Sequence, residues 1–234
     1  GATIAGMMLV NNPGSWSNIY APFKHAAWHG WTYTDTVFPF FLWIVGVAMT
    51  FSFAKRVERG DSKRALGLHV LQRAGVIFGL GLFLNGFPFG LIFDHNFDLG
   101  TIRIPGVLQR IAVCYLIVGL LFLKTTTRQQ AIITAALLVV YWLAMFLIPV
   151  PGYGAGVLEP TGNLCWYIDS TLLAGHTWSG APVPGFDPEG IFSTLPAIVT
   201  TLFGVLTGHL LRSGKSKEEK TIRMFVYGNV LLLA

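Results

Sequence analysis

Apolar positions along this chain fall into long runs separated by shorter polar stretches. Five runs are complete, at residues 36–54, 74–93, 104–123, 131–148 and 191–211. Each approaches the roughly 20 residues a helix needs to cross a hydrocarbon layer about 30 Å thick. Two further runs, GATIAGMMLV at the beginning and FVYGNVLLLA at the end, are shorter and read as partial crossings. In hydrocarbon every backbone N–H and C=O must find its partner within the segment, so helices are the expected form. Pro39, Gly46, Gly79, Gly81, Pro196 and Gly204 lie inside the runs, where such residues are tolerated better than in soluble helices. The pattern predicts an all-α, polytopic transmembrane helical bundle of about seven crossings, two of them partial. Residues 1–234 are read as one transmembrane domain, incomplete at both ends.

The stretches between the runs alternate in charge. Segments 55–73, 124–130 and 212–223 hold all of the 16 Lys and Arg except Lys24, Arg103 and Arg110. The positive-inside rule makes these segments cytoplasmic and puts 11–35, 94–103 and 149–190 on the other side. Basic segments of this kind also meet anionic lipid headgroups, which supports the same orientation. The His25 loop is thereby expected on the non-cytoplasmic side of a multi-pass membrane protein.

Composition agrees. Hydrophobic residues make up 53% of the 234 positions and charged residues only 12%, with a mean hydropathy of +0.60; soluble domains carry about 25% charged residues. That excludes a disordered chain and an ordinary soluble enzyme. The pI near 9.4 is a topology signal and not a nucleic-acid footprint, so no nucleic-acid partner is expected; the lipid bilayer is the first partner.

Titratable residues collect on the non-basic side. His25, His29, His95 and His176 lie there, with seven of the 11 acids, Asp94 and Asp98 among them, and Trp16, Trp28, Trp31, Trp166 and Trp178. Some of these Trp belong to an interfacial belt; His and carboxylates gathered at one membrane face fit a catalytic or binding vestibule. Neither cysteine changes this. Cys114 sits within an apolar run, Cys165 in a loop, and the difference in depth argues against a disulfide. No metal-binding spacing, phosphate loop or nucleophile elbow occurs, so no metal is expected, and no internal repeat marks a transporter.

Three constellations carry candidate chemistry. In NNPGSWSNIYAPFKHAAWHGWTYTD, residues 11–35, His25 has the residue type suited to general-base work near neutrality, with Trp28 beside it. Asp35 opens the next helix, where it serves either as a first-turn cap or as the carboxylate that orients an imidazole. Asn11 and Asn12 either end the first helix or donate to an oxyanion. In RIPGVLQRIAVCYL, Arg103, Gly106 and Arg110 are spaced as one helix face, and Gln109 and Arg110 are expected within the outer part of the bilayer. An intramembrane Arg usually faces a cavity or partner, so the face reads either as snorkelling arginines or as a cationic pocket wall. The third is the loop of about 40 residues that ends at residue 190, too long for a passive connection; Asp187-Pro188-Glu189-Gly190 reads as a cap for a helix starting at Ile191, and His176 and Trp178 as a lid. On the basic side Arg73, placed where the third crossing is expected to begin, is the candidate for a phosphate-bearing donor.

These residues also carry a resemblance. TIAGMMLVNNPGSW, FKHAAWHGWTYTDTVFPFFLWIVGVAMTFS, RIPGVLQRIAVCYL and GNLCWYID with GFDPEGIFSTLPAIVTTLFGVLTG together resemble, in order and over essentially the whole chain, the heparan-alpha-glucosaminide N-acetyltransferase family and its bacterial relatives. The resemblance implies a multipass acyltransferase domain in which cytosolic acetyl-CoA donates its acetyl group to the amine of a glucosamine-type sugar or related glycan on the far side. The family's active-site His falls on His25, its aspartate on Asp35, and its asparagine on Asn11 or Asn12. The N-terminal luminal domain of lysosomal members and the later helices of the fold lie outside this sequence, and the acceptor stays open. Under this reading acetyl-CoA is the acyl donor, and its phosphates meet Arg73 and neighbouring cations. Trp28, Arg103, Gln109, Arg110 and His176 line the acceptor or donor site, and a second copy of the chain is a candidate partner. The rival from another class is a transporter or flippase for a sugar or anion, supported by the vestibule and by the membrane-embedded Arg110 but not by coupling acids, which the five complete runs almost lack.

Overall fold

The computed structural model describes residues 1–89 and 98–233; Asp94 and His95 lie outside the described residues. The described chain is helical, with one short 3-10 turn (Ala21–Phe23) and a single isolated β-bridge, Val150 to Gly154. Five helices are long and apolar enough to span a membrane: α2 (Tyr33–Glu58), α3 (Lys63–Gly86), α4 (Val107–Lys124), α5 (Thr127–Leu147) and α7 (Thr194–Arg212). They are accompanied by α1 (Ala2–Asn11), α6 (Leu164–Leu172) and α8 (Lys217–Leu233). The polytopic helical bundle expected from the sequence is the architecture observed.

Burial on α5 runs opposite to that of a soluble helix. Its buried residues are Gln130 and Thr134, whereas Ile132, Val139, Val140, Trp142 and Leu147 are exposed. In a bilayer lipid tails are as apolar as the side chains, so association comes from close packing and internal polar contacts. The α2–α7 seam is built that way. A Cβ at Gly46 would lie 2.0 Å from the Thr201 carbonyl oxygen, and one at Gly204 2.0 Å from that of Trp43. Gly208, four residues on, lies against Thr50, whose hydroxyl donates to the Gly46 carbonyl at 3.1 Å. Small residues at this spacing let two backbones touch. The α3–α4 seam repeats the device, with Gly119 receiving Val70 and Gly81 receiving Gln109. Phe53, Leu66, Val118, Leu202 and Val205 fill the core between the seams.

The two ends of the bundle differ. At the basic end the connections are tight. Arg56 pairs with Asp61 at 2.6 Å across the turn from α2 to α3, and Ser62 caps α3 through the Ala65 N–H. Thr126 and Gln129 close a capping box on α5 two residues after α4 ends. At the other end the connections are long and hold the titratable residues.

Three expectations are corrected here. The third crossing begins at Lys63 and not near residue 74, because a good N-cap and strong helix formers carry the helix through basic residues. Arg73 therefore lies inside α3, and the supposed basic loop is mostly helix. The helix expected from Ile191 begins at Thr194, because Asp187 is engaged elsewhere and does not cap it. Cys165 lies not in a loop but in α6, buried, and both cysteines are free thiols.

Candidate active site

Local structure first fixes Asp35. α2 starts with a capping box: Thr32 N–H donates to Asp35 Oδ2 at 2.8 Å, and Asp35 sits in the first turn. The same carboxylate accepts the Ala26 N–H at 3.1 Å, which pulls the preceding loop back over the helix. The other oxygen, Oδ1, lies 2.6 Å from His25 Nδ1. The two alternatives for Asp35 are thus one arrangement, since the capping contacts hold the carboxylate where it meets the imidazole. With Nδ1 on a carboxylate, neutral His25 presents Nε2 as a base. The His25 side chain is 72% exposed against 26% for Asp35, and Nε2 has no protein partner among the described residues.

His25 opens on a cavity of about 520 Å³ lined by Trp28, Asp35, Arg103, Val107, Trp178 and Glu189, among others. Its aromatic walls are fixed. Trp28 donates its indole N–H to the Leu158 carbonyl at 2.7 Å and meets Phe186 edge-on at 5.1 Å. Trp178 packs on Gly180, where a Cβ would fall 2.7 Å from the indole, and carries the Arg103 guanidinium 5.7 Å from its ring centroid.

Arg103 joins three segments of chain. Its Nε donates to Asp187 Oδ2 at 2.8 Å and its Nη2 to Asp187 Oδ1 at 2.7 Å and Glu189 Oε2 at 2.5 Å. Burial works against its charge, but the Asp187 hydrogen bonds and the two carboxylate charges outweigh it and raise its pKa. Asn85, at the end of α3, donates to the Arg103 and Pro105 carbonyls at 2.8 and 2.9 Å and fixes the strand-like segment that carries the arginine. Nothing in the sequence marked Asn85, Asp187 or Glu189 for these roles; the ion pairs span 84 and 86 residues.

The helix-face grouping of Arg103, Gly106 and Arg110 does not hold, because α4 starts at Val107. Arg110 turns away from the His25 cavity and is buried, donating from Nη2 to the Gly190 carbonyl at 3.0 Å and to Ser193 Oγ. Gln109 is buried between Gly81 and Gly106. His176 is no lid: its ring Nδ1 lies 2.7 Å from the Ile102 carbonyl, and its own carbonyl accepts the Ile104 N–H at 3.0 Å. Trp178 does line the cavity. Asn11 and Asn12 close α1, with the Asn12 amide on the Met8 carbonyl at 2.9 Å, and neither lines the cavity. Arg73 lies 5.5 Å from the Tyr115 ring centroid beside a separate cavity of about 120 Å³ that Ser52 and Met49 share.

Asp169 supports the floor of this region. It is fully buried; Oδ1 accepts the Ile191 N–H at 2.9 Å, Oδ2 has no hydrogen-bond partner among the described residues, and Gly190 packs directly on the carboxylate. Burial pushes its pKa up to about 6, the Ile191 hydrogen bond offsetting only part of the effect. Among the described residues no group of three or more His, Cys, Asp or Glu is placed to hold a metal ion.

A model of the catalytic region of heparan-alpha-glucosaminide N-acetyltransferases matches residues 1–233. Heparan-alpha-glucosaminide N-acetyltransferase of Mus musculus is 30% identical over 271 aligned positions, covering 96% of this chain and 40% of that protein. The Homo sapiens protein is 31% identical, with 96% and 39% covered. The chain thus spans about two fifths of the length of these relatives.

Proposed function

Because the chain belongs to the heparan-alpha-glucosaminide N-acetyltransferase catalytic family, we propose that it is a membrane acetyltransferase that moves an acetyl group from cytosolic acetyl-CoA to the amine of a glucosamine-type sugar or related glycan. The observation that carries this reading is the His25–Asp35 pair, with Nε2 open to the cavity. His25 takes a proton from the acceptor amine as its nitrogen attacks the thioester carbonyl. The imidazolium that forms is stabilised by Asp35. When the C–S bond breaks, the proton passes from His25 to the departing thiolate. A route through an acetyl-His25 intermediate uses the same nitrogen. Asn11 or Asn12 is assigned to the oxyanion, a role that requires α1 to close on the cavity when substrate binds.

The indole walls of Trp28 and Trp178 suit the apolar face of a pyranose. Arg73, whose guanidinium has no carboxylate partner among the described residues, and the nearby basic residues are assigned to the phosphates of the donor. The distribution of Lys and Arg supports a cytoplasmic basic end, and the His25 cavity is assigned to the far side, periplasmic in a bacterial inner membrane. The transporter reading loses one of its two supports, since Arg110 donates to Gly190 and Ser193 and does not line the His25 cavity. The test is to supply membranes containing the protein with labelled acetyl-CoA and a panel of amino sugars. The account expects labelled N-acetyl sugar. Movement of sugar into vesicles without acetyl-CoA would favour the transporter instead.

A further inference from the structure

The charges around the His25 cavity do not cancel. Asp187 is fully buried and saturated: Oδ2 accepts from Arg103 Nε and the Trp178 N–H, both at 2.8 Å, and Oδ1 from Arg103 Nη2 at 2.7 Å and the Glu189 N–H at 2.9 Å. It neutralises Arg103 and has no capacity left for a ligand. Glu189 differs. Only its Oε2 is engaged, by Arg103 Nη2, while Oε1 has no partner among the described residues, and the side chain is 13% exposed on the cavity wall. Two guanidiniums, Arg103 and the buried Arg110 behind the wall, which also feels the charges of Glu189 and Asp187, stand against three carboxylates, Asp187, Glu189 and Asp35, so one negative charge remains, and the cavity lining holds no Lys and no second Arg. Such a wall in a partly desolvated site attracts a cation, gains little from a neutral hydroxyl and repels an anion.

We infer that Glu189 anchors the acceptor as its ammonium form, and that this charge makes the site select amines over hydroxyls at the acetyl-receiving position. The inference rests on the acyl-transfer reading above. The acceptor binds as R–NH3⁺, releases one proton to solvent in the cavity, and gives a second to His25 as its nitrogen bonds to the acetyl carbon. The thiolate then takes that second proton from His25. Glu189 takes no part in the proton transfers, and Asp187 keeps Arg103 paired when Glu189 is changed.

Two measurements test this on the wild type, E189Q and E189D in membranes. The first is the KM and kcat for glucosamine with acetyl-CoA as donor. The second, independent of turnover, is protection against thermal unfolding by glucosamine and by glucose, which carries a hydroxyl at the same ring position. A charge-assisted contact of this kind is worth about ten- to a hundredfold. E189Q is expected to raise the KM for glucosamine about tenfold or more with kcat changed less than about threefold, and E189D to recover part of the loss. Wild type is expected to be protected by glucosamine well beyond glucose, and E189Q by both alike. An unchanged KM in E189Q, a loss confined to kcat, or equal protection of the wild type by the two sugars overturns the inference. Wild type that is protected by glucosamine but transfers no acetyl group contradicts the acyl-transfer reading and leaves the anchor standing.

Discussion

Two charged pairs meet at the same cavity and are built in opposite ways. Asp187 is buried and Arg103 half-buried, and the pair is closed, with both carboxylate oxygens of Asp187 doubly engaged. His25 and Asp35 are open: one ring nitrogen is held and the other faces the cavity. The closed pair engages Arg103 through Nε and Nη2 and ties residues 103–105 to the 178–189 loop, so it holds the cavity's shape. The open pair contributes little to stability, because exposed ion pairs are worth about 0–1 kcal/mol. It supplies a base whose tautomer is set. A polar contact that stabilises and one that reacts are thus distinguished by whether the last donor or acceptor site is filled.

The largest effect that would break this comparison is expected at the closed pair. Replacing Arg103 by Met leaves Asp187 buried without its partner and should cost about 3–5 kcal/mol, read as a large drop in melting temperature in detergent. A small shift would mean that the pair does not hold the loops together. Next comes Asp169, whose pKa is raised to about 6 by burial against about 3.9 in an unfolded chain. The folded state holds the proton more tightly, so the contribution of Asp169 to stability is full below about pH 4 and is lost as pH rises through 6, by an amount on the order of 2–3 kcal/mol. Asp169→Asn should flatten that slope in thermal melts measured across this range.

Two smaller changes separate the roles that Asp35 combines. Asp35→Asn should cut acetyl transfer about a hundredfold or more through loss of imidazolium stabilisation, at a stability cost of about 1 kcal/mol from the cap. Thr32→Ala should cost about the same 1 kcal/mol while changing activity less than about tenfold. Equal activity losses in the two variants would mean that capping, and not charge, is what His25 requires.

How legible this was in the sequence depended on the range of each interaction. The five spans were legible because each run declares itself within about 20 residues. The start of α3 was missed because hydropathy weighs Lys63, Arg64 and Arg73 against a helix that Ser62 caps and whose basic side chains reach toward water. His25 and Asp35 were named individually, ten residues apart, yet capping and orienting were posed as rivals, since only the folded loop brings the Ala26 and Thr32 N–H groups onto the carboxylate. Arg103 and Arg110 were grouped by spacing. The Gly106 turn that ends their common face, and partners more than 80 residues away, carry no local signal.

The central claim is that the open nitrogen of His25 does the chemistry. It is tested most directly by acetyl transfer from labelled acetyl-CoA to glucosamine in membranes containing wild-type protein or His25→Ala, with melting temperatures measured in parallel. The account predicts activity reduced about a hundredfold or more with the melting temperature nearly unchanged, since the His25 side chain is 72% exposed. A folded His25→Ala protein that transfers acetyl groups at the wild-type rate would contradict it.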